Sequence, residues 1–467
     1  MDQADIAVIG GGPGGYAAAI RAAQAGAAVV LVEKDAPGGT CLNRGCIPTK
    51  ALITAVSEIR IAQRAMNRGI LEGTVRPDFG RMMTEKNKAV ENLRHGLLTL
   101  LKRNKVHLVN ATATVRNPGE VRLSLPTGGE KSFVAKSIIL ATGSASVRPQ
   151  VEGIDLPGVM DSERILNLEN LPDKLLIIGG GVIGLEFAGI FSSLGCRVVV
   201  VEILPAVLPA MDADMSRRLL SLLKRTGVEV FLQSKLHAIK QVGQKLAVTL
   251  EREKTGDTVT IGEIDVVLAA AGRVPSTHGV DTKALGLKMT GRAVSVNEKM
   301  ETNIPGVYAV GDCTGGPMLA HAATVQGAAA AENALGGLKR VDLSAVPGCV
   351  FTYPETAGVG LGEDEAKRQG RNVLVGRFPY SALGKAVALG ETSGLIKLIA
   401  DRETGVLLGG QILGYAATEL IAEVTLAVRN SLKAADVAET IHAHPTLAEG
   451  IMEAAHGIIG KPLHIVS

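Results

Sequence analysis

Two stretches of this chain repeat each other position by position: Gly10 answers to Gly179, Gly26 to Gly195 and Glu33 to Glu202, all at one offset. In the first, the apolar run Ile6 to Ile9 reads as a buried strand. It leads into Gly10-Gly-Gly-Pro-Gly-Gly15, a helix-forming run from Tyr16 to Ala25, and a second strand, Ala28 to Val32, that ends on Glu33. In the second copy, Leu175 to Ile178 leads into Gly179-Gly-Gly-Val-Ile-Gly184, a helix through Ser193, and the strand Arg197 to Val201 ending on Glu202. Glycines at the first, third and sixth positions of each loop (Gly10, Gly12, Gly15; Gly179, Gly181, Gly184) allow a tight turn, backbone access for a pyrophosphate, and close helix packing. The terminal acid of each unit can accept hydrogen bonds from ribose hydroxyls. A duplicated unit of this kind points to an α/β fold with two Rossmann-like nucleotide-binding domains and two bound dinucleotides.

Glu202 also bears on which dinucleotide the second copy takes. Its charge opposes a 2′-phosphate, and no arginine follows within Ile203 to Leu208 to receive one, so NAD is expected there rather than NADP.

Directly after the first copy comes Gly39-Thr-Cys-Leu-Asn-Arg-Gly-Cys-Ile-Pro-Thr-Lys50, which sets Cys41 and Cys46 five residues apart. A disulfide needs Cα atoms about 4.4 to 6.8 Å apart, whereas this spacing on an ideal helix gives about 8 to 9 Å. Either the helix is distorted there or Cys41 lies outside it. A local ring of this kind is open to thiol exchange, unlike a bridge that staples distant strands. The remaining cysteines, Cys196, Cys313 and Cys349, are scattered, which argues against a secreted disulfide scaffold.

Further along, helices are expected over Ala51 to Arg64 and Asp78 to Lys102, with the Lys86 to Arg94 charges facing solvent. Strands are expected at Val106 to Val115, Val121 to Pro126 and Phe133 to Leu140, the last running into a turn at Gly143. Ile264 to Ala269 ends likewise in a turn at Gly272. The segment Thr302 to Asp312 places Asp312 at the carboxyl end of a short strand, where parallel sheets bind ligands. From Val350 on the pattern changes to α+β, with strands at Val373 to Phe378, Gly394 to Ile399 and Val406 to Leu413. Helices there are expected at Glu363 to Arg368, Ala417 to Asn430 and Thr446 to His456. Near the end, His444 and Glu449 have the chemistry of a proton-transferring imidazole and a carboxylate that fixes its tautomer.

Near-neutral charge, with 49 basic and 46 acidic side chains and no basic block, argues against nucleic acid or an anionic membrane as partner. No stretch reads as a transmembrane helix. The start passes straight into a strand without the flanks of a secretory signal, so a cytoplasmic location is expected. No metal site is expected, since Cys41 and Cys46 lack a second ligand pair, and neither glycine loop ends as a triphosphate-binding P-loop.

Taken together and in this order, the cysteine segment, Gly179 through Glu186, Val310-Gly-Asp312 and His442 through Glu449 resemble the pyridine nucleotide-disulfide oxidoreductases, over residues 4 to 464. The resemblance implies a glutathione-reductase-like architecture. Residues 1–148 and 279–347 would bind FAD, 149–278 would bind NAD, and 348–467 would form a dimerisation domain. It also implies a tightly but non-covalently bound FAD at Gly10, Gly12, Gly15, Glu33, Gly143, Asp312 and Ala320, and NAD+/NADH as substrate at Gly179, Gly181, Gly184, Glu202 and Gly272. Lys50 and Glu186 would pair beside the flavin. A dihydrolipoyl thiol would yield its proton to His444, assisted by Glu449, and attack Cys41. Cys46 would then communicate with FAD and onward to NAD+. His444 would come from the other subunit of a homodimer. The implied partner is a lipoyl-bearing acyltransferase of a 2-oxo acid dehydrogenase complex, or the lipoyl carrier of glycine cleavage. The alternative within the family is an NAD(P)H-dependent disulfide or metal-ion reductase. Against it stand the absence of arginine after Glu202 and of cysteine in Pro462 to Ser467.

Overall fold

The computed structural model describes residues 3–460 and 463–464; the extreme ends of the first and last expected domains, and most of the cysteine-free Pro462 to Ser467 tail, lie outside the described residues. The chain forms two compact units. The first takes the residues up to Arg148 with Asp161–Asn170 and Ala271–Leu343, and the second takes Pro149–Met160, Leu171–Ala270 and the residues from Ser344 on. No helix among the described residues is long and apolar enough to cross a membrane.

The first unit is built on a seven-stranded sheet. Its strands are β1 (Gln3–Ile9), β2 (Val29–Glu33), β3 (His107–Asn110), β4 (Thr112–Asn117), β5 (Glu120–Ser124) and β6 (Glu130–Leu140), in the order β3-β2-β1-β6-β5-β4. A late strand, β19 (Val307–Ala309), pairs in parallel with β6 and sets Ala309 opposite Leu140. β1, β2, β3 and β6 are also parallel, with Val8 between Leu31 and Ile139. Val29 and Leu31 pack on one face against helix residues such as Ala18, Ala22 and Leu101, and Val30 and Val32 on the other against Ala113 and Val115 of β4 and Val121 and Leu123 of β5, which explains why Val29 to Val32 is an apolar run buried on both faces.

Helix α1 (Pro13–Gln24) packs against α7 (Ala320–Ala334), and both bury small residues: Gly14, Gly15, Ala18, Ala19 and Ala22 on one, Ala322, Ala323, Gly327 and Ala330 on the other. Small side chains let the helix axes approach closely. Helices α2 (Gly39–Arg44), α3 (Cys46–Asn67) and α4 (Phe79–Arg103) complete this layer, α4 being capped by Asp78, whose carboxylate accepts from the Arg81 N–H at 3.0 Å.

Lys86 departs from the solvated charge face expected for Lys86 to Arg94. It is 3% exposed, and its ammonium donates to the carbonyl of Leu166. The segment 161–170 covers this side of α4 and buries Ile165 and Leu166, so helical phase alone could not assign Lys86 to water. Burial lowers the pKa of this amine.

In the second unit a parallel sheet is formed by β9 (Lys174–Ile178), β10 (Arg197–Val201), β11 (Glu229–Phe231) and β15 (Val266–Ala269), in the order β11-β10-β9-β15 with β8 (Val159–Asp161) at the edge. Helices α5 (Val182–Ser193) and α6 (Ala213–Arg225) follow the first two of these. An antiparallel sheet of β12 (Ser234–Val242), β13 (Lys245–Arg252) and β14 (Thr258–Ile264) lies in the same unit.

The C-terminal part is an antiparallel sheet. Its order is β20 (Gly348–Val350), β21 (Glu355–Gly360), β24 (Leu407–Gly414), β23 (Leu395–Asp401) and β22 (Val373–Pro379). The sheet buries Phe378, Ile396, Leu398 and Ile412 against Ile421 and Val424 of α10 (Ala417–Arg429) and Ile451 of α12 (Glu449–Ile458). The helix expected at Glu363 to Arg368 is α8 (Glu363–Arg368), and the helix expected from Thr446 begins three residues later.

A buried ion cluster joins the parallel layer of this unit to its antiparallel sheet. Lys397, on β23, sets its ammonium 3.0 and 2.9 Å from the two oxygens of Asp212 and 2.9 Å from Glu363. Asp212 is also the N-cap of α6, accepting from the Asp214 N–H at 3.0 Å, and it takes the Glu363 N–H at 3.2 Å. Lys397 and Asp212 are each 2% exposed, so every charge has to be matched on site. Burial by itself raises the Glu363 carboxyl, but Lys367, Lys397 and Arg377 outweigh it and hold the group at about 2. A carboxylate depressed in the folded state contributes stability above its ordinary range near 4.3 and loses it as the pH falls toward the folded value. Glu363→Gln is therefore expected to destabilise the protein by about 2 to 3 kcal/mol at pH 7. Urea unfolding at pH 7 and pH 3 should show the gap to wild type narrowing in acid.

Candidate active site

The two cysteines lie on opposite sides of a break. Cys41 is inside α2, and Cys46 is the first residue of α3. Gly45 between them adopts φ −145°, ψ −106°, outside the helical region. A Cβ at Gly45 would stand 2.9 Å from the Thr40 carbonyl oxygen, so the break needs a residue without one. The helix is thus interrupted and Cys41 belongs to a separate turn, which brings the thiols into hydrogen-bond contact. Cys41 is half-buried and Cys46 exposed. The hydrogen bond to Cys46, then burial, raises the Cys41 thiol, while the positive charge of Lys50, one turn further along α3, acts the other way.

The two glycine loops are near copies in three dimensions. Gly10 and Gly179 have φ +103° and +113°, a region L side chains rarely enter. A Cβ on Gly15 would lie 1.8 Å from the Gly10 oxygen, and one on Gly184 would lie 2.0 Å from the Gly179 oxygen. Glu33 is buried and accepts from the Gly11 N–H at 2.7 Å and the Asp35 N–H at 2.8 Å. Glu202 is buried too, accepting from Gly180 at 2.6 Å and Leu204 at 2.8 Å. Each acid therefore ties its glycine loop to the end of the neighbouring strand.

Both loops fit a pyrophosphate. Helices α1 and α5 start at Gly12 and Gly181 without a side-chain cap, which leaves first-turn amides for an anion. A Cβ on Gly181 would meet nothing within 4 Å, and one on Gly12 only the Gly39 Cα at 4.0 Å, so the ligand-facing side is open.

Because β19 runs beside β6, the turns that follow them share one end of the sheet. There Ser144, after Gly143, donates to Asp312 at 2.5 Å. Arg273, after Gly272, donates to the Ser144 hydroxyl at 2.8 Å and carbonyl at 2.9 Å, where β16 (Arg273–Pro275) pairs with β7 (Ser144–Ser146). The Gly311 N–H donates to Gln326 at 2.7 Å, and Gln326 projects from α7, the helix that Ala320 begins. Ser144, Arg273 and Gln326 are absent from the expected site. Gln326 had a legible signal, as an amide within the small-residue run of an alanine-rich helix.

In the second unit, His444 Nδ1 lies 2.8 Å from Glu449 Oε1, and the Thr446 N–H donates to Glu449 Oε2 at 2.8 Å. Burial raises the Glu449 carboxyl, but the Thr446 amide and His444 together hold it below the usual carboxylate range. The His444 ring is 76% exposed, and with Nδ1 engaged its Nε2 is the nitrogen placed for proton exchange. His442 differs, since both its nitrogens are occupied, by Glu423 at 2.8 Å and the Thr440 carbonyl at 2.8 Å. Glu186, on α5, is 4% exposed and accepts from the Phe351 N–H at 3.1 Å. Lys50 belongs to the first unit and Glu186 to the second.

A duplicated dinucleotide fold with a dithiol at a helix break defines a nucleotide-linked disulfide oxidoreductase. Residues 4–327 match the family model of the pyridine nucleotide-disulphide oxidoreductases, and 346–455 match that family's dimerisation domain. The chain belongs to the pyridine nucleotide-disulphide oxidoreductases, class I, with the FAD- and NAD-linked chemistry and glutathione-reductase-like architecture of that family.

Among its relatives, dihydrolipoyl dehydrogenase of Thermus scotoductus is 42% identical, over 100% of both chains. Mitochondrial dihydrolipoyl dehydrogenase 2 of Arabidopsis thaliana is 39% identical, over 99% of this chain and 92% of its own. Among solved structures, the Cu(II) complex of the HOCl-induced flavoprotein disulfide reductase RclA from Escherichia coli superposes with a TM-score of 0.88 at 29% identity, covering 97% of this chain and 99% of that one. The plant relatives also correct the expected cytoplasmic location. Dihydrolipoyl dehydrogenases of Arabidopsis thaliana and Pisum sativum that match over 99% of this chain are mitochondrial, so the features read from composition and N-terminal pattern do not assign the compartment.

Proposed function

We propose that this protein oxidises protein-bound dihydrolipoyl groups to the lipoyl disulfide, with NAD+ as the acceptor. The observation that carries the proposal is the His444–Glu449 pair, an exposed imidazole with its Nδ1 held by an ionised carboxylate. Such a base suits a thiol substrate, and the relatives named dihydrolipoyl dehydrogenase support the dithiol as that substrate. His444 Nε2 takes the proton of one substrate thiol. The thiolate attacks Cys41 Sγ, the Cys41–Cys46 bond breaks, and Cys46 leaves as a thiolate. The second substrate thiol then attacks the substrate sulfur of the mixed disulfide, forming the lipoyl ring and releasing Cys41. Lys50, whose charge already reaches Cys41, favours the anionic sulfur.

Gly10, Gly12, Gly15, Glu33, Gly143, Asp312 and Ala320 would hold FAD, which when bound would supply the two-electron connection to NAD+, and Gly179, Gly181, Gly184, Glu202 and Gly272 would hold the NAD+. Lys50 and Glu186 are part of the proposed catalytic set. The three-domain division, with NAD bound by 149–278, is part of this proposal, as is a homodimer in which His444 serves the partner's Cys41. The dimerisation-domain match over 346–455 supports the latter. The lipoyl carrier belongs to a 2-oxo acid dehydrogenase complex or to glycine cleavage.

Purified holoenzyme should turn over dihydrolipoamide with NAD+ at least about 100-fold more efficiently than with NADP+, which Glu202 disfavours. Inactivity on dihydrolipoamide, with brisk NADPH-dependent reduction of glutathione disulfide, would replace this function with the reductase alternative.

A further inference from the structure

Two side chains enclosed between the cysteines, those of Asn43 and Arg44, anchor this short segment to its surroundings. Asn43 Nδ2 lies 3.1, 3.1 and 3.0 Å from the carbonyls of Ala36, Pro37 and Gly39. Arg44, the last residue of α2 and next to the Gly45 break, sets one guanidinium nitrogen 2.5 Å from Asp35 and its Nε 3.6 Å from Glu163. Both carboxylates stand on anchored backbone. The Asp35 N–H is bound by Glu33. The Glu163 and Arg164 N–H groups donate to Asp161 at 3.0 and 2.8 Å, and the segment is held further by the burial of Ile165 and Leu166 and by the Lys86 bond to the Leu166 carbonyl.

We propose that Arg44 is a positioning residue for the dithiol–disulfide cycle: its bridge between Asp35 and Glu163 fixes the last turn of α2 and so keeps Cys41 and Cys46 within bonding reach. The proposal rests on Cys41 and Cys46 being the pair that cycles. Closing the ring removes two protons and two electrons from the thiols, forms one Sγ–Sγ bond, and reduces a disulfide co-reactant to its dithiol. Loosening α2 multiplies the conformations open to the dithiol far more than those open to the closed ring. The effective concentration of one thiol at the other falls, and the equilibrium moves toward the dithiol. If the guanidinium acted only through its charge on the sulfurs, removing Arg44 and neutralising its two carboxylate partners would shift the equilibrium in opposite directions. A tether makes them shift in the same direction.

The test equilibrates wild-type holoenzyme, Arg44→Met and the double variant Asp35→Asn/Glu163→Gln with graded ratios of reduced to oxidised dithiothreitol. Samples are quenched in acid, and alkylated Cys41 and Cys46 are counted by mass spectrometry. Methionine keeps much of the apolar stem of Arg44, and the partly exposed carboxylates of the double variant give a second route should Arg44→Met fold poorly. Both variants are expected to favour the dithiol by about three- to tenfold, a potential about 15 to 30 mV higher. Opposite shifts, or shifts below twofold in both, overturn the proposal. A wild-type protein that forms no Cys41–Cys46 disulfide at any ratio instead overturns the assignment of the pair.

Discussion

Serine in place of Cys46 is expected to lower the turnover of dihydrolipoamide with NAD+ by about three orders of magnitude or more, the scale seen when a reaction loses a group it bonds through. Without the second sulfur no ring forms, so the substrate thiolate finds no disulfide at Cys41 and has nothing to displace. The substitution is otherwise mild. Cys46 is exposed at the start of α3, the hydroxyl nearly matches the thiol in size, and the break at Gly45 stays in place. Folding and cofactor content should therefore stay at wild-type level while steady-state turnover falls. Wild-type rates in the serine variant would eliminate the two-sulfur relay.

His444→Gln should cost about 10² to 10⁴ in kcat/KM, the range for removing a general acid–base group. The neighbouring histidine supplies an internal control. His442 has both ring nitrogens engaged, so His442→Gln removes a Glu423 contact and should lower kcat/KM by less than about tenfold. Steady-state kinetics of the two variants side by side distinguish a base from a merely structural imidazole. Equal losses would argue that the segment, rather than His444, matters.

What the sequence made legible is what local chemistry repeats. The glycine loops, the acids at Glu33 and Glu202 and the strand runs before them could be read because each motif lies within one strand–helix–strand unit, where spacing dictates contact. The cysteine spacing left open whether the helix is broken or Cys41 lies outside it. The answer turned on Gly45, whose missing Cβ accommodates the Thr40 carbonyl.

Long-range partners carried no such signature. Lys397 and Asp212 meet across 185 positions, and nothing near either residue marks it as half of a buried pair. Lys86 misled for the same reason, since a segment 80 positions away covers the helix face that the charge pattern assigned to solvent. Compartment lay beyond reach altogether, because the same fold serves relatives in mitochondria.

The bonds from Glu33 to Gly11 and from Glu202 to Gly180 bear on how such an enzyme can change over evolutionary time. In each copy the carboxylate proposed to read the ribose is the same one that holds the loop beneath the pyrophosphate. A lineage that exchanged Glu202 to admit a phosphorylated nucleotide would also leave the Gly180 amide unpartnered, so one change would disturb recognition and scaffold together. Coenzyme preference is therefore inherited with the loop, and drift at that position has to await a compensating change nearby.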